Sequence, residues 1–388
     1  ARHNERSWWS PMPADQSGTV SLFGDLTGLV GLKPPRHVEL LPYTLGRLGR
    51  VPGRKDDPFY DASDFSGDVG GDLKYGLTSD LTLNATLNPD FGQVEADPSQ
   101  FNLTDSETFF AEKRPFFLEG SDIFQVQAGF PYGVRGGRFG NDRLFYTRRI
   151  GRSPQAGPPD SARYAETPDV TRILGAAKVS GKTAGGWSLG LLDALTAPER
   201  LDYALEDGTR GRALVEPRTN YLVARASRNF RGGSDAVGLI ATAAHRWLDG
   251  DNVRFLREDA LAAGADLRHR FQGGNYQLIG ALQVSRVSGS PQAIALTQAG
   301  RGHYFQRPDA DHLEFDPTRT EMSGALADLS LEKIGGGYWR GGVYAHTISP
   351  GFETNDVGFL RNADWILTGN WIGYNHYQPT RHLHRWDL

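Results

Sequence analysis

Asp68-Val-Gly-Gly-Asp-Leu-Lys-Tyr-Gly-Leu-Thr-Ser-Asp-Leu-Thr-Leu-Asn-Ala-Thr-Leu-Asn88 alternates almost without error. Val69, Leu73, Tyr75 and Leu77 stand against Asp68, Asp72 and Lys74. After the Thr78-Ser79 link, Leu81, Leu83, Ala85 and Leu87 stand against Asp80, Thr82, Asn84 and Thr86. Residues two apart on a strand share a face, so each run has one apolar and one hydrophilic surface, and the short link makes the pair a hairpin. Two architectures write this pattern. A soluble antiparallel sheet has one wet face; a membrane barrel has lipid outside and water inside.

The rest of the chain repeats the pattern. Strand-like runs fall near Thr171 to Ser180, Trp187 to Ala197, Thr219 to Phe230, Ala236 to Trp247, Leu261 to Phe271, Tyr276 to Val287, Glu321 to Lys333, Tyr338 to Thr347 and Trp365 to His376. Most are about ten residues or longer, whereas soluble strands peak near 5 to 6 and about 9 to 11 cross a bilayer at a tilt. The connections also alternate. Gly181 to Gly186, Arg231 to Asp235, Gln272 to Asn275 and Ile334 to Gly337 are tight, whereas Pro198 to Arg218, Leu248 to Ala260, Ser288 to Thr320 and Ile348 to Asp364 are long and polar. An outer-membrane barrel has short periplasmic turns and long outer loops; a Greek-key sandwich imposes no such rule. The expected fold is therefore all-β, an antiparallel transmembrane barrel.

Composition agrees with this reading. Hydrophobic residues are 38% and charged residues 23%, enough apolar material for a packed structure. No stretch approaches the roughly 20 apolar residues of a spanning helix. A mean hydropathy of -0.47 leaves a barrel open, since only alternate strand residues face lipid. Cysteine is absent, which removes disulfides, thiolate metal sites and a Cys nucleophile. Lys and Arg are scattered without a basic block, so nucleic acid is not an expected partner. The 48 glycines exceed the usual share of about 7% and suit a turn-rich β protein.

Three segments stand apart from the strands. Pro89 to Val170 must return on the outer side or hold an even number of further strands. Its aromatics are interleaved with charges and costly to expose, so it is expected to fold into the barrel mouth or lumen as a constriction. Ala1 to Pro35 reads as the end of a preceding β-domain plus a linker, or as an arm packed beneath the barrel. With no initiator Met, the chain is expected to be a piece of a longer precursor. Arg36 to Tyr43 starts the barrel, and Thr380 to Leu388 looks like a strand that stops early, so the barrel is expected to be incomplete in this chain.

Asn88-Pro-Asp-Phe-Gly-Gln-Val-Glu-Ala-Asp-Pro98, Glu107-Thr-Phe-Phe-Ala-Glu-Lys-Arg-Pro-Phe-Phe-Leu-Glu-Gly120 and Phe145 to Gly151 resemble motifs of a large bacterial family. Its members typically pair an N-terminal carbohydrate-binding-family-nine-like β-sandwich with a C-terminal β-barrel domain of unassigned function. The resemblance covers Pro35 to the end and implies an outer-membrane protein. Trp8 to Pro13 and Gly24 to Leu32 look like the junction after the sandwich. Most of the sugar-binding module would precede Ala1, so none of its ligand residues transfers here. Some members are labelled hydrolases, but no catalytic set transfers.

Dedicated catalytic motifs are missing. There is no Gly-x-Ser-x-Gly elbow, His-Glu-x-x-His helix or phosphate loop, and no cofactor is expected. His382-x-His384 with Asp387 could present two imidazoles on one strand face to zinc, but without an assigned third ligand no metal site is expected. Asp90, Glu95 and Asp97, with Asp105 and Glu107, could gather calcium, yet they lack the dense spacing of a dedicated loop. Pairing with Lys113, Arg114, Arg148 and Arg149 is the preferred reading, as a charged ladder that holds the loop in a wet lumen and sets ion preference. Asp90, Glu95, Asp97, Glu112, Lys113, Arg114, Arg148 and Arg149 are thus the candidate ligand or lumen residues. Catalysis is not expected. A glycoside hydrolase would need paired carboxylates such as Glu95 with Glu112. Trp247, Trp339, Trp365, Trp371 and Tyr374 read as an interfacial girdle rather than sugar-stacking rings. The expected protein is an outer-membrane barrel whose partners are outer-membrane lipid and a saccharide solute bound or passed. The alternatives are a surface glycan hydrolase on a barrel and a soluble β-sandwich carbohydrate-binding protein. No protein partner is implied.

Overall fold

A computed structural model describes residues 26–28, 37–49, 53, 56–61, 63–89, 102–103, 107–126, 142–376, 381 and 386–387. Period-two sequence becomes strand throughout. The strands are β1 (Val38–Gly49), β2 (Asp64–Gly76), β3 (Leu81–Leu87), β4 (Ala162–Glu166), β5 (Ile173–Lys182), β6 (Trp187–Thr196), β7 (Glu199–Leu205) and β8 (Arg210–Glu216). They continue with β9 (Thr219–Phe230), β10 (Asp235–Arg246), β11 (Arg257–Phe271), β12 (Tyr276–Gly289), β13 (Glu321–Lys333), β14 (Trp339–Ile348), β15 (Trp365–His376) and β16 (Trp386–Asp387). Two helices are interspersed, α1 (Pro115–Leu118) and α2 (Pro291–Ala299). Ser290 caps α2 by accepting from the Ala293 amide at 3.1 Å, with Pro291 opening the first turn.

Thirteen of these strands form one antiparallel sheet in the order β1-β2-β3-β5-β6-β9-β10-β11-β12-β13-β14-β15-β16. It is an up-and-down meander with two excursions, one between β3 and β5 and one between β6 and β9. The first supplies β4 and the second the hairpin β7–β8, which together build a small sheet, β4-β7-β8. It packs Ala156, Leu201, Leu214, Val215, Val253 and Leu256 into a separate core. Pro198 to Arg218, read from sequence as a plain loop, is therefore mostly hairpin. Among the described residues no ladder joins β1 to β15 or β16.

The sheet curls round its own interior. Ile173, Leu192, Tyr221, Ala244, Ala260, Val287 and Met322, from β5, β6, β9, β10, β11, β12 and β13, belong to one buried cluster with Phe117, Phe124 and Ile150. Seven strands lying flat would span about 30 Å, too far for one cluster to touch them all. The wall must wrap around the segment that carries Phe117 and Ile150.

Burial then decides between the two readings of the hairpin. On β10, Val237, Leu239 and Ala241 point outward, and Leu239 is 63% exposed, while Ile240, Thr242 and Arg246 are buried. The same inversion runs round the wall. Leu191, Leu261, Leu282, Val284, Leu329, Val343, Ile366 and Ile372 are exposed, whereas Lys178, Arg225, Asp266, Gln283, Asp328 and His346 are buried. In water each exposed Leu or Ile would forgo roughly 1.5–3 kcal/mol of burial, while the buried ions would bear desolvation. In a bilayer the apolar face meets hydrocarbon, and the ions keep to an interior where they pair, as Arg225 does with Asp266. The fold is an antiparallel transmembrane β-barrel with apolar outside and polar inside. In the opening hairpin Val69 and Leu87 are exposed and Asn84 and Thr86 are buried. Asp80 lies in the turn and accepts from the Ala184 amide, so it is not a lumenal residue.

The girdle divides in two. Trp339 packs edge-on against Tyr374 at the tight-turn end, and Trp247 is exposed at the end of β10. Trp365 and Trp371 share the inward face. Trp365 packs 4.6 Å from the His346 ring, and Trp371 donates to Glu332 at 3.4 Å. Their strand neighbours Ile366 and Ile372 take the outward positions.

Candidate functional site

Two pieces of one non-repetitive segment, 107–126 and 142–152, enter the wall. Pro115 starts α1, and Gly120, at φ 65°, ends it in a left-handed conformation that a side chain would resist. Phe117, Ile123 and Phe124 turn into the core. Lys178, on the inward face of β5, donates to the carbonyls of Phe116 and Glu119, and Lys74 of β2 pairs with Glu119 at 2.7 Å. The segment is thus tied to the wall near the tight-turn half.

Its other ties reach the loop 350–364. Arg143 and Phe359 exchange backbone hydrogen bonds at 2.8 Å, and Tyr146 donates to the Val357 carbonyl at 2.9 Å. A Cβ at Gly358 would lie 2.2 Å from the Arg143 carbonyl oxygen, so the approach depends on glycine. Arg149 grips Glu107 with two bonds of 2.8 Å and also donates to Gly358 O and Asn355 Oδ1. Arg114 pairs with Glu112 through Nη2 at 2.7 Å and Nε at 2.9 Å, then donates to the carbonyls of Ile150 and Thr147. Burial works against charge on Glu112, but the Arg114 guanidinium prevails and holds its carboxyl down to about 2.

A second lattice anchors the same loop to the wall. Asp356 accepts from Arg246 of β10 and Arg257 of β11, each at 2.7 Å. Glu353 meets Arg257 at 3.6 Å and His303 at 3.1 Å. Burial again opposes ionisation; Arg257 holds Glu353 at about 2 and, with Arg246, keeps Asp356 well below the usual carboxylate range.

Between the enclosed segment and β12–β14 lies a cavity of about 510 Å³. Aromatic rings of Phe109, Phe117, Phe124, Phe145 and Tyr146, all from the segment, line it. Polar groups join them in the lining, Gln283 of β12, Asp328 of β13 and His346 of β14 from the wall and Glu112 and Asp142 from the segment. Asp328 and His346 are register partners, and the His346 Nδ1 is in contact with the Asp328 carboxylate. Asp142 accepts from the Arg361 amide at 3.1 Å. Burial pushes its carboxyl up to about 6, against that hydrogen bond and the charge of His346, with Asp328 adding to the rise. The arrangement is a chamber with aromatic rings, hydrogen-bonding groups and a carboxyl that gives up its proton only at about pH 6.

The residues singled out from sequence fall into three sets. Glu112 lines the cavity. Arg114 and Arg149 are buried in the ties just described, and Arg148 donates to the Ala111 carbonyl at 2.8 Å, with Lys113 beside Glu112 in the chain. Asp90, Glu95 and Asp97 lie outside the described residues, as do Asp105, His382 and His384. Among the described residues no cluster of three His, Cys, Asp or Glu could hold a metal. Asp142, Asp328 and His346 were not singled out. Period two marks Asp328 and His346 as inward, but only the β13–β14 register makes them neighbours.

A family model described as "Domain of unknown function (DUF5916)" matches residues 34–388. The chain belongs to this family. The enclosed segment, the cavity and both lattices all fall within the DUF5916 match. No curated protein matches the chain. Among solved structures it is similar to in-vitro folded OmpT, an outer membrane protein of Vibrio cholerae, at 11% identity, covering 88% of this chain and 97% of that one, with a TM-score of 0.33. OprB of Pseudomonas putida follows at 12% identity, 79% and 58% coverage and a TM-score of 0.31. A porin refined at 1.8 Å gives 13% identity, 87% and 88% coverage and a TM-score of 0.27. At such scores the architecture rests on the ladders and faces described above.

Proposed function

We propose that this DUF5916 chain is an outer-membrane barrel protein that binds or passes a saccharide, with the cavity between the enclosed segment and β12–β14 as the solute site. The observation that carries the reading is that aromatic rings and the polar groups of Asp142, Asp328 and Gln283 line one chamber inside an apolar-coated wall. Sugar rings present apolar C–H faces to aromatic rings and hydroxyls to carboxylates and amides. The tight turns face the periplasm and the segment limits access from the opposite side. Reconstitution tests the wall: the refolded chain should insert into lipid vesicles and migrate differently on gels when heated. A monodisperse detergent-free monomer would count against it. Fluorescence titration with a glycan panel tests the chamber, and Asp328→Asn should weaken whichever sugar binds. Equal binding by the variant would remove the cavity from the reading.

One observation favours hydrolysis as a second reading. Asp142, held protonated up to about pH 6, beside the Asp328–His346 pair has the make-up of an acid and a base. Turnover of a glycan that disappears in Asp142→Asn would put the enzyme first.

A further inference from the structure

The inward face nearer the tight turns is charged unevenly. Arg268 and Arg270 follow Asp266 at two-residue steps on β11 and therefore share its face. Arg225 leans across from β9 to pair with Asp266 at 2.6 Å. It passes over Gly238 of β10, where a Cβ would lie 2.4 Å from the guanidinium. Two further guanidinia thus follow the Arg225–Asp266 pair along the same strand face. Arg268 donates only to the Gly233 carbonyl, at 3.0 Å, and Arg270 to Gln277 Oε1, at 2.9 Å. Among the described residues neither Arg268 nor Arg270 has a carboxylate within ion-pair distance. The Nε atoms of Arg225 and Arg268 are buried without a hydrogen-bond partner there, and the Arg225 side chain is 3% exposed. Arg340 on β14 adds a fourth inward guanidinium; Glu332, held by Trp371, and Asp328, level with Asp266 across Ala281 and in contact with His346, are further inward carboxylates.

Buried N–H groups demand acceptors, and guanidinium groups bind oxyanions through charge-assisted, often bidentate bonds. In pores, rings of arginine select anions. We infer that the patch formed by Arg225, Arg268 and Arg270 is a binding site for an oxyanion group, a carboxylate, sulfate or phosphate carried by the solute. The inference rests on the barrel reading and narrows the solute class to acidic saccharides or other oxyanionic solutes. The site lies on a different part of the wall from the aromatic chamber, so a solute entering by the tight-turn mouth meets the arginines first.

The test is calorimetric titration of sodium sulfate into the full chain refolded in detergent, with chloride keeping ionic strength constant. Saturable sulfate binding is expected. Arg268→Gln with Arg270→Gln should weaken it about tenfold or more, while Arg268→Lys with Arg270→Lys, which keeps the charge, should lose less. Glucuronate should displace sulfate and glucose should not, a comparison made on the unaltered chain and so independent of how the variants fold. Absence of saturable heat, equal affinity in the glutamine variant, or displacement by glucose as effective as by glucuronate would overturn the site. Loss of heat-modifiable migration in the unaltered chain would instead overturn the barrel.

Discussion

Replacing Asp356 should loosen the whole interior. The carboxylate is 2% exposed and is shared by Arg246, itself 1% exposed, and Arg257. Removing it leaves Arg246 enclosed without its counter-ion and Arg257 with only Glu353, at 3.6 Å, a loss of about 3–5 kcal/mol for a buried pair broken from one side. Asp356→Asn retains an acceptor oxygen and should sit near the lower figure; Asp356→Ala should approach the upper one. The effect should travel along the chain, because Val357, Gly358 and Phe359 hold the enclosed segment through Tyr146, Arg149 and Arg143. Urea unfolding of the vesicle-inserted protein, followed by tryptophan fluorescence, measures the stability. Limited proteolysis reports release of the segment. Combining Asp356→Ala with Arg246→Met should recover part of the loss, since the stranded charge is then removed too. A loss under about 1 kcal/mol for Asp356→Ala would show that water already solvates the lattice, and the argument from burial would fail.

Three further outcomes follow from the same geometry. Asp142 has a folded-state value of about 6, above that of a free carboxyl, so the folded state binds its proton more tightly; stability should rise as pH falls from above 6 toward 4, by up to roughly 3 kcal/mol. Glu112 and Glu353, held near 2, act in the opposite sense, and their contribution, intact above the ordinary glutamate value, disappears as pH falls toward 2. Unfolding midpoints from pH 7 to 4 should therefore flatten in Asp142→Asn. Gly358→Ala should destabilise by about 1–3 kcal/mol in urea unfolding, because its Cβ would meet two backbone carbonyls, at 2.2 and 2.9 Å. Leu239→Arg should cost about 2–4 kcal/mol in vesicles if its outward face meets hydrocarbon; a neutral result would mean that the face meets water.

Much of the wall could be read from the chain. Thr219 to Phe230, Glu321 to Lys333 and Trp365 to His376 emerge as strands at the limits their patterning suggests. Long period-two runs leave little freedom, because a one-residue slip would turn every side chain round. β7 and β8 escaped notice for the converse reason. They are seven residues each, charged, and pack on a local core outside the wall. Trp365 and Trp371 fit a girdle by residue type alone, although parity with Ile366 and Ile372 places them inside. The chamber was the least legible part. Asp142 arrives from a segment with no period, and its neighbours come from strands far along the chain, so their meeting depends on how the wall curls.

The excursion between β3 and β5 also bears on how the molecule assembles. Leu87 and Gly175 are paired neighbours, yet the enclosed segment lies between them in the chain. The β3–β5 ladder is thus the most distant pairing in the meander, and closing so long a loop is entropically slow. β9 to β15 can zip by successive hairpins between strands that follow one another in the chain, whereas the seam at β3 and β5 closes only round a segment already gathered inside. Folding should show a fast phase for the hairpin meander and a slow one at this seam, where filling the interior and sealing the wall become a single event.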